Sequence, residues 1–301
     1  MVSFRYILKQ AAKKEEVTVS VAGAEDLEVL HAVHMAISSE LANFILVGDE
    51  RKITELIAAN FPELVESGSV VIRHAVSSAE AAMKAVKAVS EGEASVLMKG
   101  QIETAPLLKE VLNKEYGLRT GSVLSHVALF EVPSLERSIF VTDAGMNVEP
   151  DLQQKVHIIR NAVEIAHVIG INLPRVAPLA AVEVINSAMK ATIDAAALTQ
   201  MNRRGQITGC IVDGPLALDN AISMEAAKHK SVGGEVAGRA DILVVPTLES
   251  GNILYKSLMY FGNSQVGSII AGAKAPIVLT SRADSAQSKL NSLALAICSS
   301  N

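Results

Sequence analysis

The stretch from Val70 to Gly100, VVIRHAVSSAEAAMKAVKAVSEGEASVLMKG, decides the fold. Its β-branched start predicts a buried strand, and an Ala-rich helical pattern runs from Ser77 to Ser90. Ser77 is the expected N-cap of that helix, with Glu80 as its capping-box partner. A second short strand, Ser95-Val-Leu-Met98, follows. A strand–helix–strand unit of this kind predicts two parallel strands joined by a right-handed crossover.

The same alternation continues on both sides of this stretch. Upstream, strands at Thr18–Ala22 and Phe44–Val47 each precede a helical pattern. Downstream, Val123–Phe130 and Ser138–Thr142 predict two strands that form a hairpin or a sheet extension, and a long helix follows them. Later candidate strands are Arg175–Leu179, Ile207–Val212, Ile242–Val245 and Ile277–Leu279. The pattern predicts an α/β fold with mainly parallel sheets in three layers.

Composition agrees with a folded α/β protein. With 301 residues, half of them hydrophobic and a fifth charged, the chain is long enough for two domains. Aromatic residues make up only 3%, so the core consists mainly of Ala, Val, Ile and Leu, as helices packed on a buried parallel sheet require. The net charge of -5 argues against a general nucleic-acid binder. It leaves small anionic ligands open, because a local Arg or Lys cluster can be positive on an acidic protein.

The cysteines and the apolar runs indicate the cellular compartment. Cys210 and Cys298 are far apart and lack metal-type spacing, so we expect reduced, buried thiols. The first residues show no signal-peptide pattern, and apolar runs are interrupted well before membrane-spanning length. These features predict a cytoplasmic protein without membrane segments.

The most informative segment for function runs from Pro276 to Lys289. A short apolar strand is followed by an Ala- and Leu-rich helical pattern, which places Ser281, Arg282 and Asp284 between a strand end and a helix start. Free main-chain N–H groups and the helix dipole favour an anion there. The guanidinium of Arg282 adds a charge whose fork geometry suits phosphate. Ordinary helix capping by the same residue types is the alternative reading.

Other polar or Gly-rich clusters also follow predicted strands, where ligands of α/β sheets bind. They are Lys99-Gly-Gln-Ile-Glu-Thr104, Asp143-Ala-Gly-Met-Asn147, Asp213-Gly-Pro-Leu-Ala-Leu-Asp219 and Gly251-Asn-Ile-Leu-Tyr-Lys256. The chain lacks the Gly-x-Gly-x-x-Gly fingerprint, the phosphate-binding Gly-x-x-x-x-Gly-Lys loop and the Gly-x-Ser-x-Gly elbow. Dinucleotide binding, ATP hydrolysis by that loop and the usual serine hydrolase chemistry are therefore not supported. The seven histidines show no convincing metal spacing, so no metal is expected.

Together the clusters resemble the phosphate acetyl/butyryl-transferase family, over nearly the whole chain. The matching motifs fall in the family's order: Lys99-Gly, Thr104-x-x-Leu-Leu-Lys, Asp143-Ala-Gly-x-Asn147, Pro174-Arg-Val, Asp213-Gly-Pro-Leu, Asp219, Gly251-Asn-Ile-x-Tyr-Lys256 and Thr280-Ser-Arg-Ala-Asp-Ser285. Chain length and the last motif resemble the butyryl branch more than the acetyl branch.

The resemblance implies two lobes, with residues 129–268 inserted into a first lobe of residues 1–128 and 269–301, and an active-site cleft between them. It implies reversible transfer of a butyryl or similar short acyl group between CoA and phosphate, in fatty acid metabolism. CoA is then a substrate, so no separate cofactor is expected. The resemblance also implies a homo-oligomer. Ser281, Arg282 and Asp284 become the expected catalytic residues. The expected substrate-binding residues are Lys99, Thr104, Arg119, Asp143, Asn147, Asp219, Asn252, Tyr255 and Lys256.

Some positions depart from the acetyl branch. Ser288 stands where that branch has an Asp proposed as the base for the CoA thiol, and Asp284 is the nearest carboxylate. An Arg of that branch aligns near Met259-Tyr260, and Lys109 stands at another Arg position. For Ser281 we expect positioning of the CoA thiol or the oxyanion rather than a covalent acyl-serine.

Three alternatives stay open at this point. Phosphate acetyltransferase activity would favour acetyl-CoA over butyryl-CoA. A CoA- or acyl-phosphate-binding protein that has lost catalysis would bind without turnover, as the missing Asp and Arg counterparts suggest. A dehydrogenase on a similar scaffold would bind nicotinamide, for which the chain lacks a nucleotide signature.

Overall fold

The computed structural model describes residues 2–15, 17–279 and 284–300, apart from the side chain at position 66. The chain divides into two compact units. The terminal unit comprises Phe4–Ser122 and Gly267–Asn301, and the middle unit comprises Met1–Ser3 and Val123–Val266. The lobe boundaries expected from the resemblance, at residues 128 and 269, stay a prediction.

Short strands alternate with longer helices along most of the chain. In chain order the elements are α1 (Phe4–Ala11), β1 (Thr18–Ala22), α2 (Leu27–Ser38), β2 (Asn43–Gly48), α3 (Glu50–Asn60), α4 (Glu63–Glu66), β3 (Val70–His74), α5 (Ser78–Ser90), β4 (Val96–Lys99), α6 (Thr104–Val111), β5 (Ser125–Glu131), β6 (Ile139–Thr142), α7 (Leu152–Val168), β7 (Arg175–Pro178), α8 (Lys190–Arg203), β8 (Ile211–Val212), α9 (Leu218–Ile222), α10 (Met224–His229), β9 (Ile242–Val244), α11 (Leu248–Tyr260), β10 (Gln265–Ala271), β11 (Ile277–Val278) and α12 (Ala286–Ser299).

The terminal unit is built on strands in the order β3-β2-β1-β4-β11-β10. All neighbours are parallel except β10, which is antiparallel to β11. All four residues of β4 are buried although they alternate between the two faces of the sheet, so both faces are covered. Helix α5 packs on β1 and β2, and α12 packs on β4, β11, α1 and α2. The carboxyl ends of β1, β4 and β11 therefore lie at one edge of this sheet.

The middle unit has its own strand order, β5-β6-β9-β7-β8. β5 and β6 are antiparallel, which confirms the predicted hairpin, and the remaining neighbours are parallel. Helix α7 packs on β5, β6 and β9, while α11 packs on β6. Residues that follow β6, β7 and β9 consequently share the carboxyl edge of this sheet. The predicted α/β class with mostly parallel strands is confirmed.

Most predicted elements are present, with local corrections. Ser77 caps α5 by accepting the Glu80 N–H at 3.2 Å, but the Glu80 carboxylate accepts from Val76 and not from Ser77. The predicted strand Ile207–Val212 shrinks to its last two residues, because Gly209 turns the chain with φ +76°.

Three elements of the terminal unit were not predicted from the sequence, namely α1, the single-turn helix α4 and strand β10. Helix α1 buries Phe4, Ile7 and Ala11. Strand β10 carries Gly267 in its interior, where a Cβ would come within 2.8 Å of the Phe4 ring and 2.9 Å of the Asn291 main chain. Gly in a strand interior marks such a close approach.

The cysteines match expectation, since both are buried and free. Burial raises the pKa of Cys210 and of Cys298 to about 11. None of the helices in the described part of the chain is long and apolar enough to cross a membrane.

Candidate functional site

Asp143 organises the loop that follows β6. Its buried carboxylate accepts five hydrogen bonds: Oδ1 from the main-chain N–H groups of His126 (3.1 Å), Gly145 (3.0 Å) and Met146 (3.0 Å), and Oδ2 from the main chain (3.1 Å) and side chain (2.6 Å) of Asn147. The Asn147 amide also donates to the Leu124 carbonyl at 2.8 Å. The structure thus brings the predicted residues Asp143 and Asn147 together, and their contacts shape the loop itself.

Helix α11 packs directly on the same loop. A Cβ at Gly251 would lie 2.8 Å from the Asp143 carbonyl oxygen and 3.0 Å from the Ala144 Cα, so glycine permits this approach. Thr247 caps the helix, and the ring of Tyr255 contacts the rings of His126 and Phe130 edge-on, with centroids 5.6 and 5.2 Å apart. The Asp143 and Gly251 motifs therefore form one cluster at the carboxyl edge of the middle-unit sheet.

Asn252 and Lys256 lie on the exposed face of α11, whereas Tyr255 is half-buried. The predicted substrate-binding roles of these three side chains stay predictions. Only Tyr255 has a packing role that the structure makes explicit, through its two ring contacts.

Asp219 occupies a surface ion-pair network instead of the Asp143 cluster. Its Oδ2 lies 3.0 Å from Lys230 Nζ, which is also 3.6 Å from Glu183 Oε2. The hydrogen bond from Lys230 lowers the pKa of Asp219. Asp213, earlier in the same motif, behaves differently, because burial raises its pKa. The contacts of Asp219 join α9 to α10, and its substrate-binding role stays a prediction.

In the terminal unit, the Lys99 motif folds back on itself. Lys99 is buried, and its ammonium donates to the carbonyls of Gly100 (3.2 Å) and Ile102 (3.0 Å). A Cβ at Gly100 would be 2.0 Å from the Gly23 carbonyl oxygen, so the turns after β1 and β4 touch. Thr104 is the first residue of α6, and Pro106 lies in the first turn as predicted. The charge of Lys99 helps hold this turn together.

Arg119 lies at a different place in the terminal unit. It is exposed and pairs with Ala273, in the connection that leads into β11. The neighbouring Thr120 hydroxyl donates to the Gly272 carbonyl at 2.6 Å. Lys99 is the last residue of β4, the parallel neighbour of β11, so Lys99 is at a strand end while Arg119 is near a strand start. The structure does not bring these two predicted cations together through their main chains.

The start of α12 carries the remaining predicted residues. Ser285 is the N-cap and accepts the Ser288 N–H at 3.2 Å, and the two hydroxyl oxygens are 3.1 Å apart. Asp284 is half-buried, and its carbonyl accepts from the Lys289 ammonium. Ser281 and Arg282 lie outside the described residues. Among the described residues, β11 ends at Val278 and α12 begins at Ala286. The roles of Ser281 and Arg282 stay predictions.

Sequence reasoning missed two features of the middle unit. His126 sits between the Asp143 loop and Tyr255, although neither motif contains it. Lys155, buried on α7, pairs with buried Asp194 of α8 at 2.6 Å, and exposed Lys190 reaches the same oxygen at 3.2 Å. The buried ion pair could have been suspected from the sequence, because Lys155 lies among the apolar positions of α7.

The described residues contain no group of three or more His, Cys, Asp or Glu side chains arranged for a metal ion. His31 and His34, which share a face of α2, stack on Phe61 with ring centroids 5.8 and 5.2 Å apart. His34 also pairs with Glu63 at 2.7 Å. These two histidines therefore have packing partners of their own.

Replacing Gly251 with alanine should disrupt the contact between α11 and the Asp143 loop. The new methyl group would meet main-chain atoms at 2.8 and 3.0 Å, and overpacking of this kind costs about 1–3 kcal/mol. Hydrogen exchange should show faster opening of Asp143–Asn147. Gly233→Ala is the matched control, because nothing lies within 4 Å of its Cβ position. Equal protection of the loop in both variants would contradict the proposed contact.

The Lys155–Asp194 pair should make stability depend on pH. Burial alone would raise the pKa of Asp194, but Lys155 and Lys190 outweigh it and hold the pKa below the ordinary 3.8. As the pH falls, the Asp194 carboxylate is therefore protonated in the unfolded chain before it is protonated in the folded one. The stabilisation of the folded state by this ion pair is present above pH 3.8 and is lost as the pH falls through the folded-state pKa.

Lys155→Met should lower stability by about 3 kcal/mol at neutral pH, since it leaves a buried carboxylate with a weaker partner. The difference from wild type should narrow below pH 3.8, where that carboxylate is protonated in the unfolded chain. Urea unfolding at neutral and acidic pH measures both effects. Lys190→Met, which removes the exposed partner, should have the smaller effect; the reverse order would contradict the assignment.

Fold and site together define the class of protein, an α/β protein with mostly parallel strands and with polar motifs at the strand ends. Both units carry polar motifs just after the carboxyl ends of parallel strands, the usual position of ligand sites in α/β proteins. Two of the motifs contain buried glycines, Gly100 and Gly251, at close main-chain contacts. Among the residues that the structure describes, no group of side chains is arranged to hold a metal ion.

Comparison with known proteins gives the family. The family model described as phosphate acetyl/butaryl transferase matches residues 3–64 and 54–297. The chain is 53% identical to the probable phosphate butyryltransferase of Bacillus subtilis and 51% identical to the phosphate butyryltransferase of Clostridium acetobutylicum, in each case over 98% of this chain and 97% of the relative. The crystal structure of a branched-chain phosphotransacylase from Enterococcus faecalis aligns with TM-score 0.82 at 37% identity, covering 94% of this chain and 98% of that one. The chain belongs to the phosphate acetyl/butaryl transferase family, as the motifs predicted.

Proposed function

We propose that the protein is a phosphate butyryltransferase, catalysing butanoyl-CoA + phosphate = CoA + butanoyl phosphate. The observation that carries the proposal is the match to relatives of that name along nearly their whole length. Membership of an acyltransferase family makes it an enzyme. The predicted motifs support the proposal, because the Asp143 and Gly251 motifs of the middle unit pack into one cluster at a sheet edge where ligands bind.

The residues suit the chemistry that this reaction requires. Phosphate is the nucleophile, a tetrahedral oxyanion forms at the thioester carbon, and the CoA thiolate leaves. Arg282 and the N–H groups at the start of α12 are proposed to bind phosphate and the developing charge. Ser281 is proposed to position the CoA sulfur. The acyl-CoA, CoA, phosphate and acyl phosphate are then the only small molecules needed, and CoA serves as a substrate, not as a cofactor.

The acyl group is proposed to have about four carbons, straight or branched. One methylene in an apolar pocket changes discrimination by only about 1–3 kcal/mol, so neighbouring chain lengths should react more slowly and not be excluded. Such a reaction belongs to short-chain fatty acid metabolism in the cytoplasm, where the buried thiols of Cys210 and Cys298 would stay reduced.

Phosphate-dependent release of CoA thiol from acetyl-, butyryl- and isobutyryl-CoA tests the proposal, with sulfate as the anion control. Release with phosphate and a preference for the four-carbon substrates is the expected result. Faster release from acetyl-CoA would favour phosphate acetyltransferase activity. Binding of CoA without any release would support a protein that has lost catalysis, and would refute the proposal.

We also propose that the protein forms a homo-oligomer through exposed apolar side chains of α11 and its C-cap. Ile253, Tyr260 and the C-capping Phe261 are 66%, 77% and 90% exposed, which is unusual for large apolar side chains so close together. A second copy would cover them. Light scattering of the wild type and of a Tyr260→Ser/Phe261→Ser variant measures the effect: a monomeric variant is expected, and a monomeric wild type would contradict the proposal.

A further inference from the structure

A cavity of about 420 Å³ lies beside the turn that joins β5 to β6. Its lining belongs wholly to the middle unit and combines this turn with Val2, Ser3, Asn263 and Gln265. The Ser138 hydroxyl donates to the Val2 carbonyl at 2.7 Å, which holds the N-terminal segment against the turn. The volume falls in the range of roughly 300–1,000 Å³ that is usual for small-molecule sites. The cavity is therefore large enough for a small organic ligand.

This cavity lies at the opposite end of β6 from the Asp143 cluster. Arg137 and Ser138, which line it, precede β6, whereas Asp143 follows the strand. The strand has four residues. At about 3.3 Å per residue it separates the two places by roughly 10–15 Å. The cavity is thus outside the motifs that are expected to bind acyl-CoA and phosphate.

Arg137 gives the cavity a positive charge whose orientation is fixed. The side chain is half-buried, Nε donates to the Ala240 carbonyl at 3.2 Å, and Nη2 donates to the carbonyls of Ile222 at 3.1 Å and Gly238 at 3.3 Å. Among the residues that the structure describes, Arg137 makes no ion pair and its Nη1 makes no hydrogen bond. Nη1 is therefore the group that the guanidinium can offer to a ligand, and a carboxylate is the partner that its charge favours.

Glu131 gives the same cavity the opposite charge. It is the last residue of β5 and is half-buried. A carboxylate accepts hydrogen bonds at both oxygens, so Glu131 can receive an ammonium group in addition to the contact that it already makes. A purely anionic ligand would be repelled by Glu131, and a purely cationic one would be repelled by Arg137. A ligand that carries both charges suits both side chains.

Apolar side chains form another part of the lining. Val132 is 8% exposed and belongs to the hydrophobic core of the middle unit, and Leu135 packs against that core. Val2 and Pro133 add further apolar surface. A short alkyl group in contact with these side chains would be stabilised by the area that it removes from water.

We propose that this cavity binds an aliphatic α-amino acid. The carboxylate contacts Arg137, the ammonium contacts Glu131, and the alkyl side chain lies against Val132 and Leu135. In such a molecule the three groups leave one carbon in different directions, which matches the three kinds of lining. The inference goes beyond the proposed function, because its ligand is neither a substrate nor a product of the acyl transfer, and it can be tested without measuring that reaction.

Calorimetric titration of the full-length protein with L-leucine tests the ligand class. Isocaproate, which has the same carbon skeleton without the ammonium, and isoamylamine, which lacks the carboxylate, are the comparison ligands. L-leucine should bind saturably and at least about tenfold more tightly than either, since each analogue loses one charged hydrogen-bonding partner. Isocaproate binding as tightly as L-leucine would overturn the proposal, because the cavity would then recognise a simple anion. The absence of saturable L-leucine binding at millimolar concentrations would also overturn it.

Variants of the two charged residues test the place of binding. Arg137→Gln and Glu131→Gln should each weaken L-leucine binding by about 10- to 100-fold, the effect of losing one hydrogen bond to a charged group. Arg160→Gln is the matched control, because Arg160 is an exposed arginine of the same unit that donates to the Gln206 carbonyl at 2.8 Å.

Glu131→Gln decides the outcome if Arg137→Gln fails to fold after losing its bonds to three carbonyls. Wild-type affinity for L-leucine in Glu131→Gln would overturn the proposal. Saturating butyryl-CoA should leave L-leucine binding unchanged, and full displacement of L-leucine by butyryl-CoA would place the amino acid in the substrate site instead.

Discussion

Replacing Arg282 with alanine should lower phosphate-dependent CoA release by about 10²–10³-fold, the usual loss when one charged or hydrogen-bonding stabiliser of a transition state is removed. Arg282 precedes the N-cap of α12, Ser285, by three positions in the sequence, and the N-terminus of a helix favours anions. The guanidinium can bind two phosphate oxygens at once, which a single ammonium cannot do. We therefore expect the Michaelis constant for phosphate to rise together with the fall in kcat.

Two further variants separate charge from geometry in this prediction. Arg282→Lys keeps the charge but loses the fork, and it should recover only part of the lost activity. Arg51→Ala removes an exposed arginine of α3 and should leave the kinetics unchanged. The measurement is the initial rate of thiol release as phosphate is varied at saturating butyryl-CoA. Wild-type rates and phosphate affinity in Arg282→Ala would remove Arg282 from the site.

Asp143→Ala should destabilise the middle unit by about 4 kcal/mol. One buried main-chain N–H loses its acceptor at a cost of about 1–3 kcal/mol, and three part-buried N–H groups lose a charged acceptor but can bond to water instead. The donors belong to His126, Gly145, Met146 and Asn147. The alanine side chain offers no acceptor in return. The loop would then separate from β5 and α11, and activity should fall with it.

Hydrogen exchange in increasing urea measures this loss for peptides of Val123–Val266 alone, so that the transition of the terminal unit does not obscure it. Asp143→Asn should also destabilise the middle unit, because one carboxylate oxygen that accepts hydrogen bonds is replaced by an N–H₂ group, which is itself a donor. Asp219→Ala is the matched control, because that carboxylate is exposed and pairs with Lys230. An Asp143→Ala protein as stable as Asp219→Ala would show that the loop does not depend on this carboxylate.

Sequence alone predicted the elements whose signals are local. The strand–helix alternation, the cap at Ser77 and the hairpin of β5 and β6 each depend on residues only a few positions apart, and each is confirmed. The family was equally accessible, because ordered motifs at fixed spacing are a property of the chain itself. Strand β10 was not predicted, because Gly267 and Ser268 interrupt its apolar pattern. Its place in the sheet depends on close packing with distant segments, as at Gly267, and not on a pattern in its own sequence.

Only the tertiary structure decided what the motif residues contact. Lys99 is predicted from the sequence to bind substrate, and in the structure its ammonium donates to two carbonyls of its own turn. Asp219, predicted to bind substrate, pairs with Lys230 at the surface, and its predicted role stays a prediction. His126 belongs to none of the motifs. It is nevertheless contacted by Asp143, 17 positions further along the chain, and by Tyr255 on α11. Spacing along the chain fixes which residues follow a strand, whereas hydrogen bonds and close packing between distant segments determine which of them remain available for chemistry.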